Sequence, residues 1–592
     1  MMMEMKDSKK INNPNSEDQK LSFYHQRILH YNSKIDEENL NFTKKSLNVS
    51  KKAKCMTITS NFSKQFSKND PQNLTKILYS EFYDKIQNNF YNIIEKLDEN
   101  CNEFIFSEML SSLTKYNDFA FCRQQLCGNL QSLRLTYMYH IIRHIISAKE
   151  EAKNIEKSMS NNHIENSLSS SESPGLKHSG FSRVRALICL PFRNSCLTIV
   201  ALLIKLLTID LDKKLRVDNK ARFIEEYSPK SSYSSSLSEE NFEEIFSKKS
   251  PSDYCALFEG NIDDCFQIGI RINRHSLKLY ANFEEADLII CSPVALRTIQ
   301  DKDVRTLALS SIEVLAIDQA DVFFMQNWDH ILNLLENINC MPSHPGNTDF
   351  SKIYDFYLNN SSKNYRQTII LSQFMFPQLA SLINCLKNYQ GLKIFTQNEG
   401  EFNLLSNFKI KIYKFIAKDD DVPNKRQIFS TDIDDQTILN FDQDIEFFNS
   451  NILSKYTSIS HTLIFIPEFS DFLQLKHLLS QEKIPFSFLD EYQDEAEIRR
   501  QIGRFTSNST NLLLMTGRFF FFSRRRIPAV KHILFFGLPE YPRHFYEICN
   551  KLSECEIQVK IVEDNLKLRR YFGRKFLRSL EKCEKTLNVL NL

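Results

Sequence analysis

The sequence predicts an α/β protein built from two parallel sheets in tandem, and three observations predict it. Short apolar runs rich in branched residues recur along most of the chain. Between them stand segments with apolar residues three and four apart, the alternation expected of βαβ units. The alternation breaks near Gly400 and resumes beyond Asp444, so two units of similar size are expected. With 592 residues, 42% of them hydrophobic, the chain can bury several cores.

The elements follow in order. Residues 1–75 are rich in Lys, Asn and Ser and read as a mostly disordered tail. Residues 76–160 read as a helical N-terminal extension, with Leu133 to Ile146 carrying the clearest helical spacing. Residues 161–182 form a polar linker whose Ser-rich stretch, 167–174, has too little apolar surface to fold. The first α/β domain, 183–400, opens on the strand Val184–Leu190, stopped by Pro191. Asn194 or Ser195 stands where a side chain could cap the helix through Leu197, Val200, Leu203 and Leu207. A Ser-rich, acidic insertion covers about 227–252. Further strands are predicted at Phe266–Ile272, Ala286–Cys291, Val314–Ile317 and Thr368–Leu371, with a helix over Trp328–Ile338. The second domain, 401–592, is irregular to Asp444. It then gives strands at Thr462–Ile466, Phe486–Leu489, Leu512–Met515 and His532–Phe536, a helix over Phe469–Ser480, and a basic helix near the C-terminus.

Composition excludes several function classes. The net charge is only +2, so affinity for nucleic acid has to come from local patches. The fourteen cysteines include no C-x-x-C pair and no Cys/His cluster at zinc spacing, which argues for a reducing compartment and against a metal ribbon. Met1–Lys10 lacks the apolar core of a secretory signal. The most apolar stretch, Ala186–Leu207, is interrupted by Pro191, Arg193, Asn194 and Lys205, so a soluble intracellular protein is expected. Glycine is scarce, with twelve residues against a usual fraction of about 7%. Phosphate-binding loops are made of glycine, although codon bias towards Asn, Lys, Ile and Phe explains the scarcity equally well.

One tetrapeptide carries chemistry. Asp318-Gln319-Ala320-Asp321 closes the apolar run Ile312–Ile317. Carboxylates at a strand end can hold Mg²⁺ and activate water, but Gln319 cannot take a proton, and a missing general base costs on the order of 10²–10⁴ in rate. No G-x-x-x-x-G-K-[ST] cradle occurs. Mg²⁺ needs substrate oxygens to complete its octahedron. Asp318 and Asp321 therefore read as remnants that cap the next turn, and no metal or other cofactor is expected.

Two basic windows are the better functional candidates. Arg518, Arg524, Arg525, Arg526 and Lys531 stand without one acidic residue between 518 and 531. Lys567, Arg569, Arg570, Arg574, Lys575 and Arg578 stand likewise between 566 and 580. Arg271, Arg274 and Lys278 flank a strand and could line a positive groove. Tyr571, Phe572 and Phe576 are read as core anchors, and Phe519–Phe522 as too aromatic to face one side of a strand.

In order along the chain these landmarks resemble the DEAD-box helicase core. Pro191 and Arg193 stand in Cys189-Leu190-Pro191-Phe192-Arg193, similar to the first RNA-contacting segment. Ser292 and Pro293 stand where Thr-Pro-Gly-Arg-Leu would, with Gly and Arg lost. Asp318, Gln319, Ala320 and Asp321 stand at the Asp-Glu-Ala-Asp box, Ser372 at the Ser-Ala-Thr segment and Thr516 at the opening of the fifth motif. No arginine finger stands in Phe545–Lys551. The losses, with the string from Asp318 to Trp328 and the segments Tyr365–Thr368 and Leu538–Pro542, resemble the DEAD-box-like U3 small nucleolar RNA-associated family, also called digestive organ expansion factor. That resemblance implies tandem RecA-like domains. It further implies a nucleolar, non-catalytic component of the small-subunit processome that associates with pre-rRNA, the U3 small nucleolar ribonucleoprotein and other assembly proteins. It also implies a requirement for 18S rRNA maturation, with no membrane and no small-molecule substrate. An active ATP-dependent RNA helicase with divergent motifs and an RNA-free assembly adaptor stay open as alternatives.

Overall fold

A computed structural model describes residues 54–57, 81–96, 103–123, 127–162, 179–208, 215–229, 253–299, 302–344, 348–396, 409–415, 445, 447–456, 459–549, 552, 554–560, 565–583 and 587–591. The predicted Ser-rich linker core and residues 230–252 of the predicted insertion lie outside the described residues. The chain divides into two compact units, Met1–Gln373 with Gln378–Thr396, and Phe374–Pro377 with Gln397–Leu592. No helix among the described residues is long and apolar enough to cross a membrane.

The first unit is a ten-stranded sheet. Its strands are β1 (Lys54–Thr57), β2 (Asp118–Cys122), β3 (Ala186–Cys189), β4 (Arg216–Asp218), β5 (Gln267–Ile272), β6 (Ser276–Leu279), β7 (Leu288–Cys291), β8 (Val314–Ile317), β9 (Gln367–Ser372) and β10 (Leu392–Thr396). They lie in the order β1-β10-β2-β9-β8-β3-β7-β5-β6-β4. All neighbours from β1 to β7 run parallel, and β5 runs antiparallel to both β7 and β6. Strands β3, β7 and β8 are buried at every residue, as expected of strands covered on both faces. At Gly269 in β5 a side chain is excluded: a Cβ would stand 2.3 Å from the carbonyl oxygen of Ala281, whose N–H donates to the Gly269 carbonyl at 2.9 Å.

The sheet corrects the reading of 76–160 as a separate helical extension. Helices α1 (Glu81–Lys96), α2 (Glu103–Thr114) and α3 (Cys127–Asn162) are indeed helical. The segment also contributes β2, which pairs with β9 on one side and β10 on the other, inside the sheet. The apolar face of α3, with Tyr137, Met138, Ile141, Ile142 and Ile145, joins one core with Leu197, Leu203, Leu288 and Ile369. That apolar area has no other surface to cover, so the segment cannot stand apart. Likewise β1, inside the predicted disordered tail, pairs with β10 at the sheet edge.

The second unit is a seven-stranded sheet in the order β13-β14-β12-β15-β16-β11-β17. Its strands are β11 (Lys409–Phe415), β12 (Thr462–Ile466), β13 (Phe486–Leu489), β14 (Leu512–Thr516), β15 (His532–Phe535), β16 (Glu554–Lys560) and β17 (Leu587–Asn591). Only β17 is antiparallel to its neighbour. The strand period of two sorts the side chains: Leu463, Phe465, Leu513 and Met515 enter one core, and Ile464, Ile466, Leu512 and Leu514 enter the other. The helices that matter below are α4 (Arg193–Leu207) and α5 (Ala320–Gln326) in the first unit, and α6 (Phe469–Gln481), α7 (Gly517–Ser523) and α8 (Asn565–Lys582) in the second. The run Phe519–Phe522 is part of α7, where three of its rings, Phe519 to Phe521, are buried; a short helix resolves the conflict that a strand would pose. Tyr571 is fully buried in the core, as expected.

Candidate functional site

The carboxyl end of β8 delivers Asp318, whose N–H is held by the Cys189 carbonyl of β3 at 3.1 Å. Asp318 is 1% exposed, so its charge has to be answered inside the protein. The answer comes from α3, the helix that follows β2. Arg134 Nε donates to Asp318 Oδ2 at 2.6 Å, and the Tyr137 hydroxyl donates to the same oxygen at 3.1 Å. Three residues apart, the two side chains lie on one helix face. Burial pulls the Arg134 guanidinium down, but the Asp318 carboxylate, helped by Tyr137, outweighs it and holds the guanidinium above its usual value. Burial, together with the same carboxylate, pushes the Tyr137 hydroxyl well up, so it stays a donor.

The remaining box residues are also engaged within the unit. Gln319 adopts the left-handed conformation at φ 61°, and its side chain makes no capping bond; Oε1 accepts from Ser195 Oγ at 2.7 Å. Ala320 is buried, and Asp321 accepts from the Gln373 N–H at 3.0 Å. The expectation that Asp318 caps the following turn is thus corrected: its carboxylate points to α3. Ser372 is buried at the end of β9, and its carbonyl accepts from the Arg123 N–H at 3.1 Å. Pro191 is buried, and Arg193 pairs with Asp263 at 3.1 Å and donates to the Cys265 carbonyl at 3.0 Å. No side chain caps α4, contrary to expectation; Asn194 Nδ2 donates to the Glu259 carbonyl and Ser195 is committed to Gln319. Ser292, before Pro293, and Thr516 are true caps, accepting from the N–H groups of Ala295 and Phe519 at 3.1 Å each.

These residues do not fit a Mg²⁺–nucleotide. The strand–loop–helix unit whose helix reaches Asp318, one strand removed from β8 across β9, is where a phosphate cradle would stand. Here it is β2 and α3, joined by Arg123-Gln124-Gln125-Leu126, which contains neither Lys nor Gly. The one carboxylate placed for a metal is bonded to a guanidinium, and its neighbour is an amide.

Geometry also reassigns the basic windows. Windows free of acid in sequence meet acids from elsewhere in the fold: Arg518 stands 3.6 Å from Glu491, Arg524 2.5 Å from Glu547, Arg525 2.6 Å from Glu495 and Lys567 2.6 Å from Glu540. Arg570 is 8% exposed and donates to the Glu540 carbonyl, which corrects its reading as a surface contact. Arg569 is half-buried, while Arg526, Arg574, Lys575 and Arg578 are exposed. Arg271 and Lys278 share Glu285 at 3.3 and 3.9 Å, and Arg274 is exposed in the turn between β5 and β6.

Two family profiles then match the chain: the UTP25 NTP hydrolase-like domain over residues 116–393 and the Utp25 C-terminal domain over residues 421–589. The chain belongs to the UTP25 family. The first profile begins two residues before β2, so the family domain includes the strand and helix that reach Asp318. Among relatives, the U3 small nucleolar RNA-associated protein 25 homologue of Xenopus tropicalis is 32% identical over 459 residues, covering 75% of this chain and 55% of its own. The human homologue is 33% identical over 455 residues, covering 75% and 56%. The chain thus spans a little over half the length of these relatives. Similar solved structures include the yeast DEAD-box splicing factor Prp28, at 15% identity, 78% and 76% coverage and a TM-score of 0.25. Another is yeast Dbp5 bound to RNA and ADP BeF3, at 10% identity, 84% and 96% coverage and a TM-score of 0.27. Arg134, the residue that answers Asp318 in this chain, is missed by motif reading. Its one signal is a cation flanked by apolar residues in the stretch Leu133–Ile146, where a buried Arg requires a partner.

Proposed function

We propose that this chain is a non-catalytic scaffold of the small-subunit processome that binds RNA and protein in the nucleolus. It would act with pre-rRNA, the U3 small nucleolar ribonucleoprotein and other assembly proteins in the early cleavages that lead to 18S rRNA. The observation that carries the non-catalytic part is the Arg134–Asp318 pair. A cation supplied by the protein itself stands where a motor would hold its metal, so the first unit keeps its shape without nucleotide. The assembly role rests on the family and on the names of its relatives. The exposed cations, Arg526, Lys575 and Arg578 among them, supply surface for phosphates. The internal pairing of Arg524, Arg525 and Lys567 is what an RNA-free adaptor would show, and RNA binding by the purified chain separates the two readings.

In cells depleted of their own UTP25 protein, the wild-type chain is expected to restore 18S rRNA, and Gln319→Ala is expected to restore it equally. Measuring 18S precursors by blotting checks both. Failure of the wild-type chain would remove the assembly role, and selective failure of a folded Gln319→Ala protein would restore the helicase reading.

A further inference from the structure

One edge of the second sheet carries a row of aromatic rings at the surface. Strand β13 ends the sheet, and among the described residues it pairs with β14 alone. Its Phe486 and Phe488 join the core that α6 covers, yet both stay half-buried. Phe488 meets Phe486 at 6.3 Å between ring centres and Phe472 of α6 at 6.1 Å. Phe472 meets Phe469 at 5.6 Å, and Phe469 meets Tyr492 at 5.3 Å. These are the spacings of rings in contact, so the row is continuous. Leu473, one turn after Phe469 on the same helix face, is 49% exposed. Tyr492, at 72%, is the most exposed large apolar side chain among the described residues.

The loop after β13 holds Tyr492 outward. Asp490 accepts from the Tyr492 N–H at 3.1 Å. The Gln493 side-chain amide accepts from the Asp490 N–H at 3.4 Å and donates to the Phe488 carbonyl at 3.3 Å. Glu491 accepts from the Thr516 hydroxyl at 2.9 Å, and Asp494 caps the helix Glu495–Thr506 through the Glu497 N–H at 2.7 Å. Asp490, Glu491, Gln493 and Asp494 are thus anchored by their side chains, and the ring between them has little conformational freedom left to lose on contact. That is the setting of an interface anchor. Gln493 bonds β13 on its outer side as the peptide of a neighbouring strand would. Bonding alternates along a strand, so the Phe486 carbonyl and the Phe488 N–H open to that same side.

Charge at the Tyr492 end tells what covers the row. Of the four acids between 490 and 495, Glu491 meets Arg518 at 3.6 Å, and Glu495 meets Arg525 at 2.6 Å and Arg499 at 3.8 Å. Asp490 and Asp494 make no ion pair among the described residues; each accepts from a backbone N–H. Lys476 turns its ammonium onto the Phe488 ring, 3.9 Å from its centre, and not to either carboxylate. We propose that this edge docks an extended segment of another protein, apolar at alternate positions and basic where it meets Asp490 and Asp494. The assignment deepens the protein-binding half of the scaffold reading above and rests on it for the source of the partner. The segment lies along β13 as an added strand, bonding the Phe486 carbonyl and the Phe488 N–H. It sets an apolar side chain against Phe469, Leu473 and Tyr492 and brings a cation to the two carboxylates. A base stacked on Tyr492 would instead bring its phosphates against those carboxylates, which disfavours RNA.

The test titrates the purified full chain into fluorescein-labelled synthetic peptides and reads their anisotropy. One peptide alternates valine and threonine and carries arginine at both ends; its twin carries glutamate there. The arginine peptide is expected to bind more tightly than its twin. Tyr492→Ala/Leu473→Ala, at two exposed positions, is expected to weaken that binding about tenfold or more. Asp490→Asn/Asp494→Asn keeps both backbone acceptors and is expected to narrow the difference between the peptides. Equal binding of the arginine peptide by the wild type and the folded Tyr492→Ala/Leu473→Ala protein overturns the surface, as does a glutamate twin that binds as well. No binding of either peptide by the wild-type chain overturns the edge and leaves the scaffold reading to its own rRNA test. Failure of that rRNA test with the peptide results intact removes the assembly role and keeps the surface. Affinity for RNA, or self-association of the chain, that is lost in Tyr492→Ala/Leu473→Ala while peptide binding is not would overturn the assignment in favour of that occupant.

Discussion

Replacing Arg134 with Ala is expected to destabilise the first unit by about 3–5 kcal/mol, because it strands the Asp318 carboxylate in the core. Tyr137 alone would remain to answer the charge, with one hydroxyl. The cost belongs to the uncompensated charge rather than to the pair, since two buried ions repay little more than their own desolvation. The double variant Arg134→Met/Asp318→Asn is therefore expected to recover most of the loss. Chemical denaturation of the two variants checks this. Equal destabilisation of single and double variants would mean that Arg134 matters through its packing and not through its charge.

A second large effect concerns pH. Asp118 opens β2 at 2% exposure, and its Oδ1 accepts from the Thr368 N–H at 2.6 Å and from Asn388 Nδ2 at 3.1 Å. Burial pushes its carboxyl up to about 7 from 3.8, although those bonds and the nearby Arg366 pull the other way. Burial also lowers Arg366 to about 10. Between pH 4 and 7 the folded protein keeps a proton on Asp118 that the unfolded chain has released. Stability contributed by the neutral form is complete below pH 4 and is lost as pH rises through 7, a change of about 4 kcal/mol at most. Asp118→Asn keeps an acceptor for Thr368 without a charge to bury. Its denaturation midpoint is expected to gain on the wild type as pH rises from 5 to 8. Parallel pH profiles for the two proteins would contradict the burial argument.

Much of the sheet framework was legible because its strands are buried on both faces and read as unbroken apolar runs. Val314–Ile317, Leu288–Cys291 and Thr462–Ile466 are of this kind, and each is a strand. Strand β2 was not, since Asp118-Phe119-Ala120-Phe121-Cys122 is five residues between two helices, and its partners β9 and β10 lie about 250 residues on or further. Strand β16, Glu554–Lys560, places charged residues among apolar ones and looks like surface until β11 and β15 flank it. In the candidate site the position of Asp318 and the substitution at Gln319 were visible in one tetrapeptide. The partner was not: Arg134 is 184 residues away, and only the closure of β2 beside β9 brings α3 to the strand ends. The acids that meet the basic windows were hidden for the same reason in reverse, because Glu547, Glu495 and Glu540 answer Arg524, Arg525 and Lys567 only once the second sheet has closed.

The proposed non-catalytic role rests on the internal guanidinium that Arg134 presents to Asp318. Its most direct measurement is phosphate release from ATP by the purified full chain, with and without structured RNA, beside Gln319→Glu and Asp318→Ala. That role predicts no turnover above background in any of the three proteins, because Gln319→Glu restores a base without a positioned substrate. RNA-stimulated release by the wild-type chain that disappears in a folded Asp318→Ala protein would contradict it.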